Sequence, residues 1–320
     1  MYPSDVLSEV FQTLRLRSDL YFTVHLGRDY SIAIPEEGKR IRFHLVREGG
    51  CWITDMEGAN PTRLGPGDLA IIPNGAGHIL TDDPKRKPAP LSEIVSAENP
   101  DPVSGIMIYG QGEPTTNVLC GFCAFDEDLK HPLIDAFQDR LILTTEATSD
   151  WPSLGATIQL LSEEAGLADV GMSGITSRLL EIVLIQAMRF LSNQHGLDQP
   201  QFMIALADQN LSIALRLIHS QPAQPWTTAM LAQKAGMSRT RFSVRFSVVV
   251  GDTPMSYLSN WRLSRARLMM RDTNLSIDEI GRRCGYRSLP AFSRRFKAVF
   301  DEGPGAFRRK LRNSTTKDLH

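Results

Sequence analysis

The chain of 320 residues has only four cysteines, Cys51, Cys120, Cys123 and Cys284, too few and too scattered for a disulfide scaffold at this length. A reducing, cytoplasmic setting is therefore expected. Long apolar runs are missing as well. The most apolar stretch, Ile175 to Leu191, is interrupted by Arg178, Glu181 and Arg189, whereas a membrane span wants about 20 apolar residues. It reads as a buried helix, and no membrane partner is expected. A secretory leader is not expected either, because MYPSDVLSEVFQTL places Asp5 and Glu9 where a positive start and an apolar run would be needed. Net charge is almost absent, at −1.

That near-neutrality hides an asymmetry. From Gln201 onward there are 20 Lys and Arg against 8 Asp and Glu, a surplus of +12, while the first 200 residues carry 15 against 28, a balance of −13. Only the C-terminal part is therefore suited to a polyanion. Its cations are mostly Arg, the side chain that fits phosphates and base edges bidentately.

The same region repeats itself. LAQKAGMSRTRFSVRFSVVVGDTPMSYL and IGRRCGYRSLPAFSRRFKAVFDEGPGAF share one pattern about fifty residues apart. Leu231, Ala232 and Gly236 match Ile280, Gly281 and Gly285; Phe242, Phe246, Pro254 and Tyr257 match Phe292, Phe296, Pro304 and Phe307. Each unit starts with a helix signal, Thr227 in the first and Ser276 with Glu279, a capping box, in the second. Each first helix stops at a glycine able to take a left-handed turn, and Ala232 and Gly281 allow a close crossing by the next helix. That next helix has an inward stripe, Phe242/Phe246/Val249 or Phe292/Phe296/Val299, and an outer basic face, Arg239, Arg241 and Arg245 or Arg294, Arg295 and Lys297. A helix-turn-helix with a basic second helix fits a major groove. A small bundle with solvated charges is the alternative for one copy, and two copies in register weigh against it. Between the copies, Pro254 to about Asp272 reads as one long helix, about 28 Å at the usual rise, near the roughly 34 Å between successive major-groove faces.

From about Pro225 to Arg312 the chain resembles the DNA-binding domain of the AraC/XylS regulators, through WTTAMLAQKAGMSRTRF, YLSNWRLSRARLMM and SIDEIGRRCGYRSLPAFSRRF. The resemblance implies that Thr240, Ser243 and Val244 of the first recognition helix face bases, and Pro290, Ala291 and Arg294 of the second, with Ser288 at its start a further residue expected at the DNA surface. Val244, where the family often has Arg, and Leu289 and Pro290, where it is often polar, depart from the pattern.

Residues 20 to 145 carry short alternating runs instead: Tyr21 to Leu26, Ile41 to Arg47, Cys51 to Asp55, Leu69 to Ile72 and Val118 to Phe125. Such spacing predicts a β sandwich or barrel. GDLAIIPNGAGH, from Gly67 to His78, resembles the second cupin motif, whose final histidine commonly binds metal; of the first motif only His44 remains. FHLVREGGCW with LGPGDLAIIPNGAGH, then LCGFCAFD and HPLIDAF, resembles the cupin-type sensors fused to one branch of AraC-like regulators. His44, Cys51 and His78 are thus the candidate effector pocket. His44 and His78, with Cys51 or Cys120 as speculative additions, are metal candidates short of the three or four ligands a metal needs, and two hydrogen-bonded buried histidines would leave the same trace. Cys120 and Cys123 form a CxxC, but residues three apart on a strand face opposite ways, which favours structural cysteines over a redox pair unless Gly121 marks a bulge.

The expected organisation is multidomain. An all-β cupin-like barrel (1–148) is followed by a helical connector and dimerisation region (149–200) with stripes Leu154/Ile158/Leu161/Ala165 and Ile175/Leu179/Ile182/Val183/Leu191. A linker helix from Ala205 to Ser220 and a hinge (201–224), an all-α tandem helix-turn-helix domain (225–312) and a disordered tail (313–320) complete it. The leading function is a transcription regulator, a homodimer on promoter DNA under a small effector, with RNA polymerase a further partner if it activates. A cupin enzyme on a nucleic-acid tether and a constitutive architectural DNA binder are the rivals. Arg294→Ala is expected to cost about 1 to 3 kcal/mol and to relax specificity, whereas Arg239→Ala weakens all sequences alike; titration of both variants on specific and random duplexes separates the two.

Overall fold

The computed structural model describes residues 5–14, 16–38, 40–95, 100–101, 104–125, 131, 140–167, 170–193 and 201–317. Helix α1 (Val6–Leu14) precedes strands β1 (Arg17–Arg28), β2 (Ser31–Ile34), β3 (Arg40–Glu48), β4 (Cys51–Asp55), β5 (Thr62–Leu64), β6 (Leu69–Ile72), β7 (His78–Thr81) and β8 (Ala89–Pro90). The short helix α2 (Leu91–Ile94) and strands β9 (Ile106–Tyr109), β10 (Gln111–Ala124) and β11 (Leu141–Leu143) follow. Helices then take over: α3 (Pro152–Glu164), α4 (Met172–Asn193), α5 (Gln201–Ala207), α6 (Leu211–Ser220), α7 (Thr228–Lys234) and α8 (Arg239–Val250). The last are α9 (Pro254–Asp272), α10 (Ile277–Arg283), α11 (Leu289–Phe300) and α12 (Pro304–Lys317).

The chain divides into two compact units. One comprises β1–β11 with α2–α4; the other comprises α5–α12 together with α1 and His131, segments that the sequence placed with the barrel. In the β-rich unit a six-stranded sheet, ordered β11-β6-β3-β10-β1-β9, and a five-stranded sheet, ordered β5-β4-β7-β2-β8, supply a common apolar core. Alternation sorts the side chains: Val24, Leu26, Ile32, Ile53, Leu64, Leu80 and Val118 point into that core. The strand expectations hold for β1, β3, β4, β6 and β10, and β1 begins earlier, at Arg17. On the outer face Gly121 pairs with Phe43, whose ring occupies the space a Cβ would need. Helix α4 packs on β1, where the Ser177 hydroxyl donates to the Ser18 carbonyl at 2.6 Å. Its stripe is buried at Leu179, Val183, Ala187 and Met188, but Ile175 and Ile182, expected inside, are 44% and 42% exposed.

In the helical unit the expected single helix from Ala205 to Ser220 breaks into α5 and α6. The Asp208 N–H ends α5 on the Ile204 carbonyl at 2.9 Å, while its carboxylate accepts the backbone N–H groups of Asn210 and Leu211 at 2.8 and 2.9 Å at the start of α6. The long helix after Pro254 forms as expected, and α12 runs through Lys317, past Arg312, into what was expected to be a disordered tail; 318–320 lie outside the described residues. Most of HPLIDAF, 132–137, also lies outside them. Helix α1 packs on α6 and α9, and Glu9 pairs with Arg265 at 2.9 Å. Beside it, the Tyr257 hydroxyl lies 2.7 Å from His219 Nε2 and 3.0 Å from His131 Nε2. A phenol has one proton, so one imidazole accepts from Tyr257 and the other donates to it, and both rings fit this arrangement neutral.

Burial pushes His131 down to about 3 and His219 well below the ordinary histidine value. The unfolded chain takes up these protons below pH about 6.5. Stability is therefore fully present above that pH and falls as the solution is acidified, by up to about 1.4 kcal/mol per pH unit per histidine. Melting midpoints are expected to drop from pH 7.5 to 5.5, less steeply in His131→Phe; a midpoint independent of pH would contradict the neutral assignment.

Candidate nucleic-acid interface and barrel centre

Both recognition helices are built alike. The Ser238 hydroxyl accepts the Arg241 N–H at 3.4 Å to start α8, and the Ser288 hydroxyl accepts the Ala291 N–H at 3.4 Å to start α11. Ser288, expected at the DNA surface, thus serves as a cap. Pro290 sits in the first turn, where its missing N–H leaves no helix bond unmade. The preceding helices α7 and α10 are capped by Thr227 and Ser276. The Glu279 carboxylate pairs with Arg282 and Arg283, at 2.6 and 2.9 Å. Gly236 and Gly285 take the left-handed turn, at φ 66° and 85°. A Cβ on Gly281 would press on the Phe292 ring at 3.2 Å, which is why the second helix pair crosses at a glycine.

Phe242 and Phe246, and Phe292 and Phe296, are fully buried. In the first unit Val250 rather than Val249 completes the inward stripe. With that face inside, Arg239, Thr240, Arg241 and Val244 of α8, and Pro290, Arg294 and Lys297 of α11, are exposed, while Ser243 and Ala291 are half-buried. Two of the arginines expected to face DNA also bond side chains of their own chain. Arg245 pairs with Asp208 through Nη2 and, at 2.9 Å, through Nε. Arg295 donates to Ser259 Oγ at 2.9 Å and to Asn260 Oδ1 at 3.3 Å. Partial burial raises the Asp208 carboxyl, but the Leu211 N–H and the Arg245 guanidinium hold it below its ordinary value. Arg245 thus ties α8 to the start of α6. Nothing in the sequence pattern marks this partner, 37 residues away, beyond the position of Asp208 ahead of α6.

The barrel centre follows from two turns of the second motif. Gly67 turns at φ 84° into β6. Asn74 and Gly75, at φ 54° and 60°, turn the chain again, and a Cβ on Gly75 would run into the Glu37 carbonyl. β7 then pairs with β2 and β4 and carries His78 inward, while β3 pairs with β10 and sets His44 beside Cys120. His44 Nε2 and His78 Nε2 lie 2.7 Å apart, His78 Nδ1 lies 2.8 Å from the Ala76 carbonyl, and His44 Nδ1 lies 3.0 Å from Cys120 Sγ. A carbonyl only accepts, so His78 carries its proton on Nδ1. Its Nε2 then accepts from His44 Nε2–H, and the bare His44 Nδ1 accepts from the Cys120 thiol. Burial keeps every member neutral: it drives His44 well below its ordinary value, His78 down to about 4 and the Cys120 thiol upward.

The candidate pocket residues His44, Cys51 and His78 all lie in this interior, at 4%, 1% and 2% exposure. A metal does not fit the donor set. Cys120 approaches the ring nitrogen of His44 that points away from His78, so two nitrogens converge where a zinc site uses at least three protein ligands. Among the described residues no group of three His, Cys, Asp or Glu is placed to hold an ion. The CxxC cysteines face apart, as the strand argument expects: Cys120 toward His44 and Cys123 toward Ser18, whose hydroxyl donates to it at 3.0 Å.

Fold and site together define a cupin β barrel joined in one chain to a tandem helix-turn-helix domain. A cupin family model matches residues 5–192, and a helix-turn-helix domain model matches residues 231–310. The regulator AlkR of Acinetobacter baylyi is 27% identical over 96% of this chain and 99% of its own. A putative AraC-like transcription regulator of Streptomyces lividans is 28% identical over 95% and 98%. Among solved structures, the DNA-binding domain of AdpA in complex with a target DNA matches 33% of this chain and 96% of its own at 28% identity, with a TM-score of 0.32. The chain belongs to the AraC-type transcription regulators that carry an N-terminal cupin domain. Among the described residues no helix is long and apolar enough to cross a membrane.

Arg245→Ala is expected to lower stability by about 1 kcal/mol, the scale of a partly exposed ion pair, and Asp208→Asn likewise. In denaturant titrations the double variant should lose less than the two single losses combined.

Proposed function

We propose that this protein is a cytoplasmic, homodimeric regulator whose occupancy of promoter DNA is set by a small effector received in the cupin barrel. The observation that carries the DNA half is the pair of capped helices α8 and α11, each with phenylalanines buried on one side and exposed arginine on the other. The charge surplus beyond residue 200 supplies the phosphate attraction. Effector reception rests on the barrel interior around His44, Cys51 and His78, where a polar chain of side chains sits inside an otherwise apolar core. Such a chain rewards a ligand that replaces its hydrogen bonds and penalises one that does not. Dimerisation is supported by the exposed Ile175 and Ile182 of α4, and RNA polymerase becomes a further partner where the bound protein activates. The effector must favour one arrangement of the protein over the other to act.

The test is duplex binding by the full chain across a salt series. Neutralising six or more phosphates is expected to lower affinity at least about 10³-fold between 50 and 200 mM salt. An affinity that ignores salt would overturn the DNA-binding reading, and occupancy that ignores every small molecule tried would overturn the effector reading.

A further inference from the structure

The exposed side of α8 is less basic than its composition implies. Arg245 is spent on Asp208, and Val244 and Val248 are 61% and 67% exposed, one turn apart. With Thr240 they form a row at i, i+4 and i+8, about 12 Å along the helix, on an open face that Arg241 also lines. All three are β-branched and present methyl groups. Among the described residues Arg239 and Arg241 form no ion pair, so the apolar row is flanked by cations available to phosphate, which suits a DNA duplex and not an apolar protein partner. The base-edge feature that an exposed methyl row can read in a major groove is the thymine 5-methyl group.

We propose that the first helix-turn-helix reads thymine methyl groups through Val244 and Val248, so that its half-site is selected by hydrophobic contact while Arg294 of α11 reads the other half-site by hydrogen bonding. The proposal rests on the DNA-binding reading above and adds the base chemistry. Adjacent thymines, one for each valine, are the expected signature of the α8 half-site, and Arg241 and Arg239 set the register on the backbone.

The experiment selects preferred duplexes from a random library with the full chain, then replaces each thymine of the selected sequence singly by deoxyuridine, which lacks only the methyl. Affinity is expected to fall about fourfold at one or two neighbouring positions, the scale for one methyl removed from contact. In Val244→Ala the discrimination at one of these positions should fall to about one, and in Val248→Ala at its neighbour, with salt dependence unchanged; both side chains are exposed, so folding is not at issue. If no thymine discriminates, or if both variants keep the full discrimination, methyl reading is wrong while the DNA-binding reading stands. If no duplex is enriched and binding ignores salt, both fall.

Discussion

Two phenylalanines one helical turn apart must leave water, and in each helix-turn-helix this requirement fixes everything else. Once Phe242 and Phe246, or Phe292 and Phe296, are buried, the rotation of the helix about its axis is set, and the side chains left outside are determined by the 3.6-residue period. The glycine turns and hydroxyl caps then determine where each helix begins. Local chemistry therefore decides which residues can meet a duplex, and composition alone decides little. Arg245 illustrates the difference: it belongs to the basic face by sequence, yet a carboxylate 37 residues earlier claims it.

The barrel obeys another constraint, that of polar atoms enclosed among apolar ones. His44, His78 and Cys120 satisfy one another in a directional chain that ends on the Ala76 carbonyl. Every proton position follows from that one acceptor-only terminus. The same geometry opposes an ion at this point: the two nitrogens that would have to face it bond each other.

How much of this was legible depended on range. The tandem repeat, its glycines, the Thr227 and Ser276 caps and the helix from Pro254 to Asp272 stand in the sequence because helix signals are local and here occur twice. The barrel was legible as a fold class and through five strands, but β2, β5, β7, β8, β9 and β11 are only two to four residues long, too short for a two-residue alternation to mark them. The His44–His78 pairing was visible as a motif remnant, with Cys51 or Cys120 on offer beside it; that Cys120 is the one bonded to His44 arises from register between β3 and β10. The aromatic and histidine group around Tyr257 escaped entirely, because it joins residues 126 positions apart.

The composition of the helical unit bears on how such proteins can be recombined. Its interior is completed by α1 and His131 as well as by the C-terminal helices, with Glu9 on Arg265 and His131 on Tyr257. Cutting the chain once, ahead of α5, would leave the C-terminal piece with an uncovered aromatic surface around Phe202, Tyr257 and Trp261 and an unmatched Arg265. A chimera that borrows this reading head for another sensor must therefore transplant three separate pieces of chain, or rebuild the surface that the first and second of them cover.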